Sequence, residues 1–271
     1  MIAFFANLFG YLLNFLYNLV QNYGLAIILF SIVIKLIMLP LTIKQQKTMK
    51  QSTKLQEKMR TLQVKYKNNP EKLNQEMMEL YKSENMSPFS GCFSSIIQII
   101  LLFAVFYLVR SPLTYMKKVD SNLIAEYTTE IQEREEEASA YTEIQIIREK
   151  GGENPDVFIN MEFLGLDLSK VPGGDFTDFK VYIIPVLYVI SSVISIKLTN
   201  NITSSKKDNE NKDAEDPMAQ TNKMMNWMMP IMSVSIALIA PLGLALYWLV
   251  NNILMIIERI ILNKFMKQEE E

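Results

Sequence analysis

Apolar residues are concentrated in long runs along the chain, and polar residues separate these runs. A helix that crosses about 30 Å of hydrocarbon needs about 20 mainly apolar residues. Five runs approach that length and predict transmembrane helices at residues 24–42, 92–110, 181–197 and, as a helical hairpin, 227–262. The hairpin is broken by Pro241, Leu242 and Gly243, which suit a tight turn between antiparallel helices. The pattern therefore predicts an all-α integral membrane protein with five transmembrane helices.

The first 22 residues are apolar and uncharged, but polar side chains recur along them at spacings typical of one side of a helix. These side chains are Asn7, Tyr11, Asn14, Asn18 and Gln21. We expect residues 1–22 to form an amphipathic helix that lies along the membrane interface. The alternative is a sixth span whose polar stripe faces protein. A cleaved signal peptide is not expected, because the segment lacks a cationic start and a small-residue cleavage site.

Two amphipathic helices are predicted within residues 43–86 from apolar positions at helical spacing. These positions are Leu55, Met59, Leu62 and Tyr66, then Leu73, Met77 and Leu80. Between them, Asn69 is placed to cap the second helix, Pro70 to take its first position and Glu71 to meet its positive end. The pattern favours a helical hairpin over the alternative of a solvated linker.

Charges in the connecting segments predict the orientation in the membrane, because short loops rich in Lys and Arg stay in the cytoplasm. Residues 44–82 carry ten Lys or Arg against four Glu, whereas residues 111–180 carry seven basic and fifteen acidic residues. The hairpin, the flexible loop 198–226 and the tail 263–271 are therefore expected in the cytoplasm, and the N-terminus outside. Within the external segment, residues 123–150 are expected to form a charged helix or a partly disordered arm.

The amino-acid composition argues against several kinds of catalytic and metal-binding site. The 271 residues include no His and only one Cys, Cys92, so the commonest general base and any cysteine-based zinc cluster are missing. No glycine-rich phosphate loop occurs, and the first Asp is Asp120, outside every apolar run. We expect a protein that is not an enzyme, with no cofactor, no metal and no direct contact with nucleic acid.

Lys35 lies about two-thirds of the way through the first predicted span, where a charge costs at least about 2.5 to 3.5 kcal/mol. It must therefore face a partner or a water-filled cavity. We expect a functional role, because no other charge is expected at that depth. One alternative is that the Lys35 side chain extends along the helix and places its ammonium in the cytoplasm. The other is that Lys35 pairs with Glu258. A proteolytic pair of Ser31 with Lys35 is a weaker possibility.

Other predicted spans carry polar faces that would complete a hydrated cavity with Lys35. Ser31 lies one turn before Lys35, and Ser94 and Gln98 are four residues apart. Further polar side chains follow helical spacing at Tyr188, Ser191 and Ser195, and at Tyr247, Asn251, Met255 and Glu258. The alternative is that the Ser and Gln side chains only form hydrogen bonds between helices.

Several stretches of this sequence resemble the YidC-type membrane protein insertases, a family related to insertases of mitochondria and chloroplasts. Residues 66–81, then 87–92 and Gln98, are similar to the family's cytoplasmic hairpin leading into its second span. Residues 226–230 and 241–248 with Asn251 and Asn252 are similar to its closing hairpin, and residues 163–168 to the segment before its third span. The chain departs from the family at Ser94 and Ile100, where Pro is common.

The resemblance implies a hydrophilic groove, open to the cytoplasm and to lipid, in which Lys35 takes the place of the usual Arg. An amine binds a carboxylate as a point charge rather than through two parallel bonds. The expected groove residues are Lys35, Ser31, Gln98, Ser94, Tyr247, Trp248, Asn251 and Asn252. The expected contact residues of the cytoplasmic hairpin are Met59, Tyr66, Met77 and Met78.

The function implied by the resemblance is that of an insertase and chaperone in the bacterial cell membrane. It would pass short hydrophilic external segments through the groove and release the apolar helices of its substrates into lipid. The expected partners are nascent membrane proteins and membrane lipids, with the Sec translocon and the ribosome as further candidates. The alternatives are a noncatalytic assembly partner of another membrane complex and a small-solute transporter.

Overall fold

Helices make up nearly all the regular structure of the computed structural model, which describes residues 1–84, 90–134, 141–174, 178–203, 235 and 238–268. The α-helices are α1 (Ile2–Val20), α2 (Tyr23–Lys65), α3 (Pro70–Ser83), α4 (Ser90–Arg110), α5 (Ser121–Arg134), α6 (Thr142–Lys150), α7 (Ile183–Thr203) and α8 (Leu242–Gln268). A π-helical turn covers Leu113–Lys117, and two-residue strands β1 (Glu162–Phe163) and β2 (Leu166–Asp167) pair antiparallel. The predicted all-α class is confirmed.

Four helical segments within the described residues are long and apolar enough to cross a membrane. They are Ile2–Val20, Tyr23–Thr48, Phe179–Leu198 and Leu242–Lys264. Three of the predicted spans fall inside these segments, and the predicted span 92–110 lies within α4, where residues Ile99–Arg110 form a further apolar stretch. The predicted span at residues 227–240 lies almost wholly outside the described residues. The chain is a multi-pass helical membrane protein.

Helix α2 continues without a break from the first predicted span into the predicted hairpin. The sequence places a boundary between residues 42 and 43, but the helix passes this point and also includes Pro40. A proline removes one backbone hydrogen bond, and residues on either side still complete theirs. By contacts, the chain divides into two compact units, Met1–Lys35 with Phe103–Glu271, and Leu36–Leu102.

Helix α1, in the first unit, has three distinct sides. Its buried side comprises Ala6, Phe9, Gly10, Leu13, Leu16 and Tyr17. The predicted polar stripe lies off this side, with Asn14 half-buried and Asn7, Tyr11, Asn18 and Gln21 exposed. A third side exposes Phe4, Leu8, Phe15 and Leu19. Separate polar and apolar exposed sides suit a helix at the interface, although α1 is also long enough to span, so its position stays a prediction.

The buried side of α1 packs closely on the π-helical turn. A side chain at Gly10 would place its Cβ 1.8 Å from the carbonyl oxygen of Tyr115, so only glycine fits at this contact. Lys118, directly after the turn, places its ammonium 4.9 Å from the ring centre of Tyr11 and contacts the side-chain oxygen of Asn7. Part of the predicted polar stripe therefore binds protein.

The hairpin of the second unit has the predicted caps. The Asn69 side chain accepts a hydrogen bond from the backbone N–H of Lys72 at 3.1 Å, with Pro70 and Glu71 in the first turn of α3. Leu55 and Met59 are buried, while Leu62, Tyr66, Leu73, Met77 and Leu80 are half-buried. The Tyr66 hydroxyl donates to Glu76 at 3.0 Å and joins the two helices. Local capping and the apolar spacing were thus predicted correctly.

The acidic segment 111–180 is folded wherever the structure describes it. Helices α5 and α6 pack together and bury Ile131, Ile144, Ile146 and Ile147. Ion pairs join their surfaces, with Arg134 contacting Glu149 at 2.7 Å. The charged-helix prediction is confirmed for residues 121–134 and 142–150, and the alternative of a disordered arm is wrong there. The run Glu135–Glu137 lies outside the described residues.

Candidate functional site

Lys35 and Glu258 form an ion pair between α2 and α8. The Lys35 Nζ lies 3.1 Å from the Glu258 Oε2, and both residues belong to the first unit. The Lys35 side chain is 24% exposed and the Glu258 side chain 9%. The prediction that no other charge lies at the depth of Lys35 is therefore wrong, because the fifth predicted span brings a carboxylate to it. The alternative of pairing with Glu258 is confirmed.

The ion pair lies far from the start of either apolar helix. Lys35 follows Tyr23 by twelve residues, which corresponds to about 18 Å along the helix axis. The second carboxylate oxygen of Glu258, Oε1, is buried and has no hydrogen-bond partner in the part of the chain that the structure describes. A buried acceptor of this kind is costly unless a donor reaches it. The pair therefore leaves an unused acceptor, and an ammonium that is still partly accessible.

Ser31, one turn before Lys35, does not point a free hydroxyl at the ion pair. Ser31 is buried, and its hydroxyl donates to the backbone carbonyl of Ile27 at 2.8 Å. This bond to the preceding turn satisfies the hydroxyl within its own helix. The structure gives Ser31 a local role in α2 and shows no contact of a Ser31–Lys35 pair.

Asn252 joins α7 to α8 rather than lining an open surface. Its side-chain amide donates to the Ser191 hydroxyl at 2.9 Å and to the Ser192 hydroxyl at 3.2 Å, and all three residues are buried. The Ser191 hydroxyl donates in turn to the carbonyl of Tyr188 at 2.8 Å. Hydrogen bonds of this kind hold membrane helices together.

The other polar residues of α8 differ in their exposure. Tyr247 is buried, whereas Trp248 and Asn251 are half-buried. The Trp248 ring lies 6.4 Å from that of Tyr188 and adds an aromatic contact between α7 and α8. The structure brings Trp248 and Asn252 to the same helix–helix contact. The side chains of the remaining predicted groove residues, Ser94 and Gln98 on α4, lie outside the described residues.

In the second unit, the predicted contact residues of the hairpin are unequally accessible. Met59 is buried, Tyr66 and Met77 are half-buried, and Met78 is 54% exposed. A groove of about 450 Å³ lies between the end of α2 and α3, lined by Lys58, Thr61, Leu62, Glu76, Glu79, Leu80 and Ser83. Met78 alone among the four predicted residues offers a largely open apolar surface.

Two features of the acidic segment 111–180 were not predicted from the sequence. The Glu143 carboxylate accepts hydrogen bonds from the backbone N–H and the hydroxyl of Thr114, at 3.0 and 2.6 Å, and burial raises its pKa above the ordinary value. Residues 157–161 bury Val157, Ile159 and Met161, beginning in a turn in which the Val157 N–H donates to the Asn154 carbonyl. The apolar Phe158 conceals this alternation in the sequence, and nothing local signals the contact of Glu143.

Within the described residues, no group of three or more Cys, Asp or Glu side chains is arranged to hold a metal ion. The candidate site therefore comprises one ion pair inside apolar helices and an unused buried acceptor, and nearer the start of α8 a contact of Asn252 with two serines. Such an arrangement can bind a polar or charged group by hydrogen bonds and can orient it. These features define a multi-pass helical membrane protein with a polar centre between its spans.

Comparison with known proteins places this architecture in a family. Residues 15–270 match the family model described as 60Kd inner membrane protein. The relatives include proteins named membrane protein insertase YidC from Treponema denticola, 29% identical over 95% of this chain, and from Chlorobaculum tepidum, 30% identical over 95%. A third, from Geobacter metallireducens, is 30% identical over 93%. The matched region covers 37%, 35% and 35% of these relatives, so the chain spans about a third of their length. The chain belongs to the 60Kd inner membrane protein family, that of the YidC-type insertases.

Proposed function

We propose that this protein inserts other membrane proteins into the bilayer and assists their folding there, without a catalytic step. The family membership and the names of the relatives support insertion as the activity. The single observation that carries the proposal is the Lys35–Glu258 pair at 3.1 Å inside apolar helices. Charges at that depth are costly to keep, so they mark a place that polar groups enter.

The Lys35 ammonium supplies the contact for a substrate. An ammonium has three N–H donors, and Glu258 accepts from one of them. With the Lys35 side chain 24% exposed, the remaining donors are available to a carboxylate or a carbonyl of an entering segment. The Oε1 of Glu258 is buried, so the accessible part of the pair is the Lys35 side chain. The pair therefore suits polar segments that carry an acceptor such as a carboxylate or a carbonyl.

A polar pocket part of the way through the bilayer shortens the low-dielectric path that a hydrophilic segment must cross. In this proposal Asn251 lines a hydrated groove with Lys35, and Tyr247, Trp248 and Asn252 form its wall. Ser94 and Gln98 stay groove residues predicted from the sequence alone. Alongside, α7 and α8 expose apolar side chains on which a substrate helix slides: Leu187, Ile190, Ile194, Ile253, Ile257 and Ile261. Burial of the apolar substrate helix in lipid then drives its release.

In the orientation that the loop charges favour, the N-terminus is outside and the cytoplasmic hairpin meets the nascent chain first. Met78 on α3 is exposed, and a flexible thioether side chain adapts to varied apolar partners. The proposed partners are nascent membrane proteins and lipids, with the Sec translocon and the ribosome as candidates on the cytoplasmic side.

The proposal is tested by reconstituting the protein alone into liposomes and adding a small single-span substrate with an acidic external tail. The measurement is the fraction of substrate tail protected from external protease. We expect insertion by the unmodified protein, loss of insertion in Lys35→Leu, and retention in Lys35→Arg, which keeps the charge. Glu84→Gln, which removes an exposed carboxylate of the second unit, serves as the matched control and retains insertion.

Three outcomes would contradict parts of the proposal. Protection no better than in empty liposomes would contradict autonomous insertion and would favour a role as an assembly partner of another complex. Equal insertion by all variants would mean that the charge of Lys35 is dispensable. Leakage of small ions through the unmodified protein, without insertion, would favour a transporter.

A further inference from the structure

The hairpin formed by β1 and β2 has a leucine with an unusual backbone conformation at its tip. Its two-residue turn is Leu164 and Gly165, both with positive φ, at 51° and 75°. Such a turn favours Asn or Asp followed by Gly, because other side chains are strained in the left-handed region. Leu164 is nevertheless at the tip and is 87% exposed. Both the strained backbone and the exposed side chain of Leu164 are explained if this side chain meets an apolar environment.

Several contacts fasten the hairpin to the start of α2. The side-chain amide of Asn22 donates to the carbonyl of Glu162 at 2.6 Å, and the backbone N–H of Tyr23 donates to the carbonyl of Asn160 at 3.0 Å. The Phe163 ring lies directly on Gly24, where an added Cβ would come within 2.4 Å of it. The tip residue Leu164, next to Phe163, is thus held at the level where α2 begins.

The same hairpin is fastened to the starts of two more apolar helices. The N–H groups of Leu242 and Gly243, which begin α8, donate to the carbonyls of Lys170 and Leu168, both at 2.9 Å. The helical turn Phe179–Tyr182, which leads into α7, packs against β2. Phe179 itself is 83% exposed. Three membrane-length helices therefore begin beside this one hairpin.

We propose that the hairpin and the adjoining helical turn Phe179–Tyr182 form an anchor in the membrane interface, in which Leu164 and Phe179 insert into lipid. The ends of apolar helices mark the boundary between hydrocarbon and water, so an apolar side chain held at that level meets acyl chains. Lipid contact explains the exposure of both side chains and offsets the strained backbone of Leu164. The anchor is independent of the proposed insertase activity and requires only that the helices span a membrane.

The anchor fixes how deeply α2, α7 and α8 enter the bilayer. Because Lys35 lies about 18 Å along α2 from Tyr23, a fixed start of the helix gives the ion pair a fixed depth. A protein without the anchor would still have the ion pair, but its depth would vary with the thickness of the bilayer.

The test uses single cysteine labels. In a Cys92→Ser background, Leu164→Cys and, separately, Phe179→Cys are labelled with an environment-sensitive fluorophore in vesicles of phosphatidylcholine and phosphatidylglycerol. The matched control is Gly152→Cys, an exposed position of the same external segment with open space around it. Quenching is measured with spin-labelled lipids and with aqueous iodide.

We expect lipid quenching several-fold stronger at positions 164 and 179 than at position 152, and iodide quenching several-fold weaker. Iodide quenching at position 164 equal to that at position 152 would overturn the anchor. Shielding of position 164 from both quenchers would also overturn it, because a protein partner would then cover the tip. The two labelled positions are exposed, so their substitution leaves the packed core intact.

Discussion

Replacing Glu258 by Gln removes the charge that Lys35 contacts while keeping nearly the same side-chain size. Breaking a fully buried pair by removing one partner costs about 3 to 5 kcal/mol, because the other charge is left uncompensated. An exposed pair contributes about 0.2 to 1 kcal/mol. With Glu258 9% exposed but Lys35 24% exposed, we expect Glu258→Gln to cost about 1 to 3 kcal/mol, between these limits.

The double variant sharpens this expectation. In Lys35→Met with Glu258→Gln, both charges are gone, so neither remains buried without a partner. Replacing both partners of a buried pair is often close to neutral. The double variant should therefore be at least as stable as the less stable single variant, which gives a coupling free energy of about 1 to 3 kcal/mol.

The assay is reversible unfolding in mixed detergent micelles, applied to the unmodified protein, both single variants and the double variant. The matched control is the exposed pair of Lys58 and Glu84, whose side chains are 56% and 40% exposed. Its cycle of Lys58→Met and Glu84→Gln should give at most about 1 kcal/mol. A coupling below about 0.3 kcal/mol between Lys35 and Glu258, or additive losses in the double variant, would refute the reasoning.

Three further predictions concern other contacts. Gly10→Val should loosen α1 by at least about 1 to 3 kcal/mol, because its Cβ would overlap the Tyr115 carbonyl; faster proteolysis of α1 measures this, and an unchanged rate would contradict it. Asn252→Leu should destabilise the α7–α8 contact by about 1 kcal/mol, measured by unfolding in micelles, and an unchanged stability would contradict this. Glu143 accepts from Thr114 but has a raised pKa, so its contribution is fully present below the ordinary value of 4.5 and declines as the pH rises above it. The melting temperature of the unmodified protein relative to Glu143→Gln should therefore fall from about pH 4 to pH 7, and a rise would contradict this.

The features that the sequence predicted correctly are those with local or length-based causes. The thickness of hydrocarbon dictates how long an apolar helix must be, so the positions of three spans, at residues 24–42, 181–197 and 242–262, could be predicted from residue patterns alone. The cap of α3 depends on Asn69, Pro70 and Glu71, which are adjacent in the sequence. The end of helix α2 was harder to predict. Pro40 and the change from apolar to charged residues suggest that the helix ends there, but the folded helix continues.

The missed features depend on residues that are far apart in the sequence. Lys35 and Glu258 are separated by 223 positions, so their pairing could be stated only as an alternative. The hairpin on Gly24 has strands of two residues, too short to show any periodicity. In the acidic segment, the high average charge conceals the four isoleucines of α5 and α6 that are buried.

The contact of Asn252 with Ser191 and Ser192 bears on how the protein's own helices find each other. Between two helices already in lipid, apolar surface gives little preference for one register over another, because the surrounding acyl chains are equally apolar. One amide that meets two adjacent hydroxyls distinguishes the correct register, since a slip of one turn along α7 in either direction puts an apolar side chain in place of one of them. The helices α7 and α8 can therefore enter the bilayer independently and still lock into a single alignment afterwards.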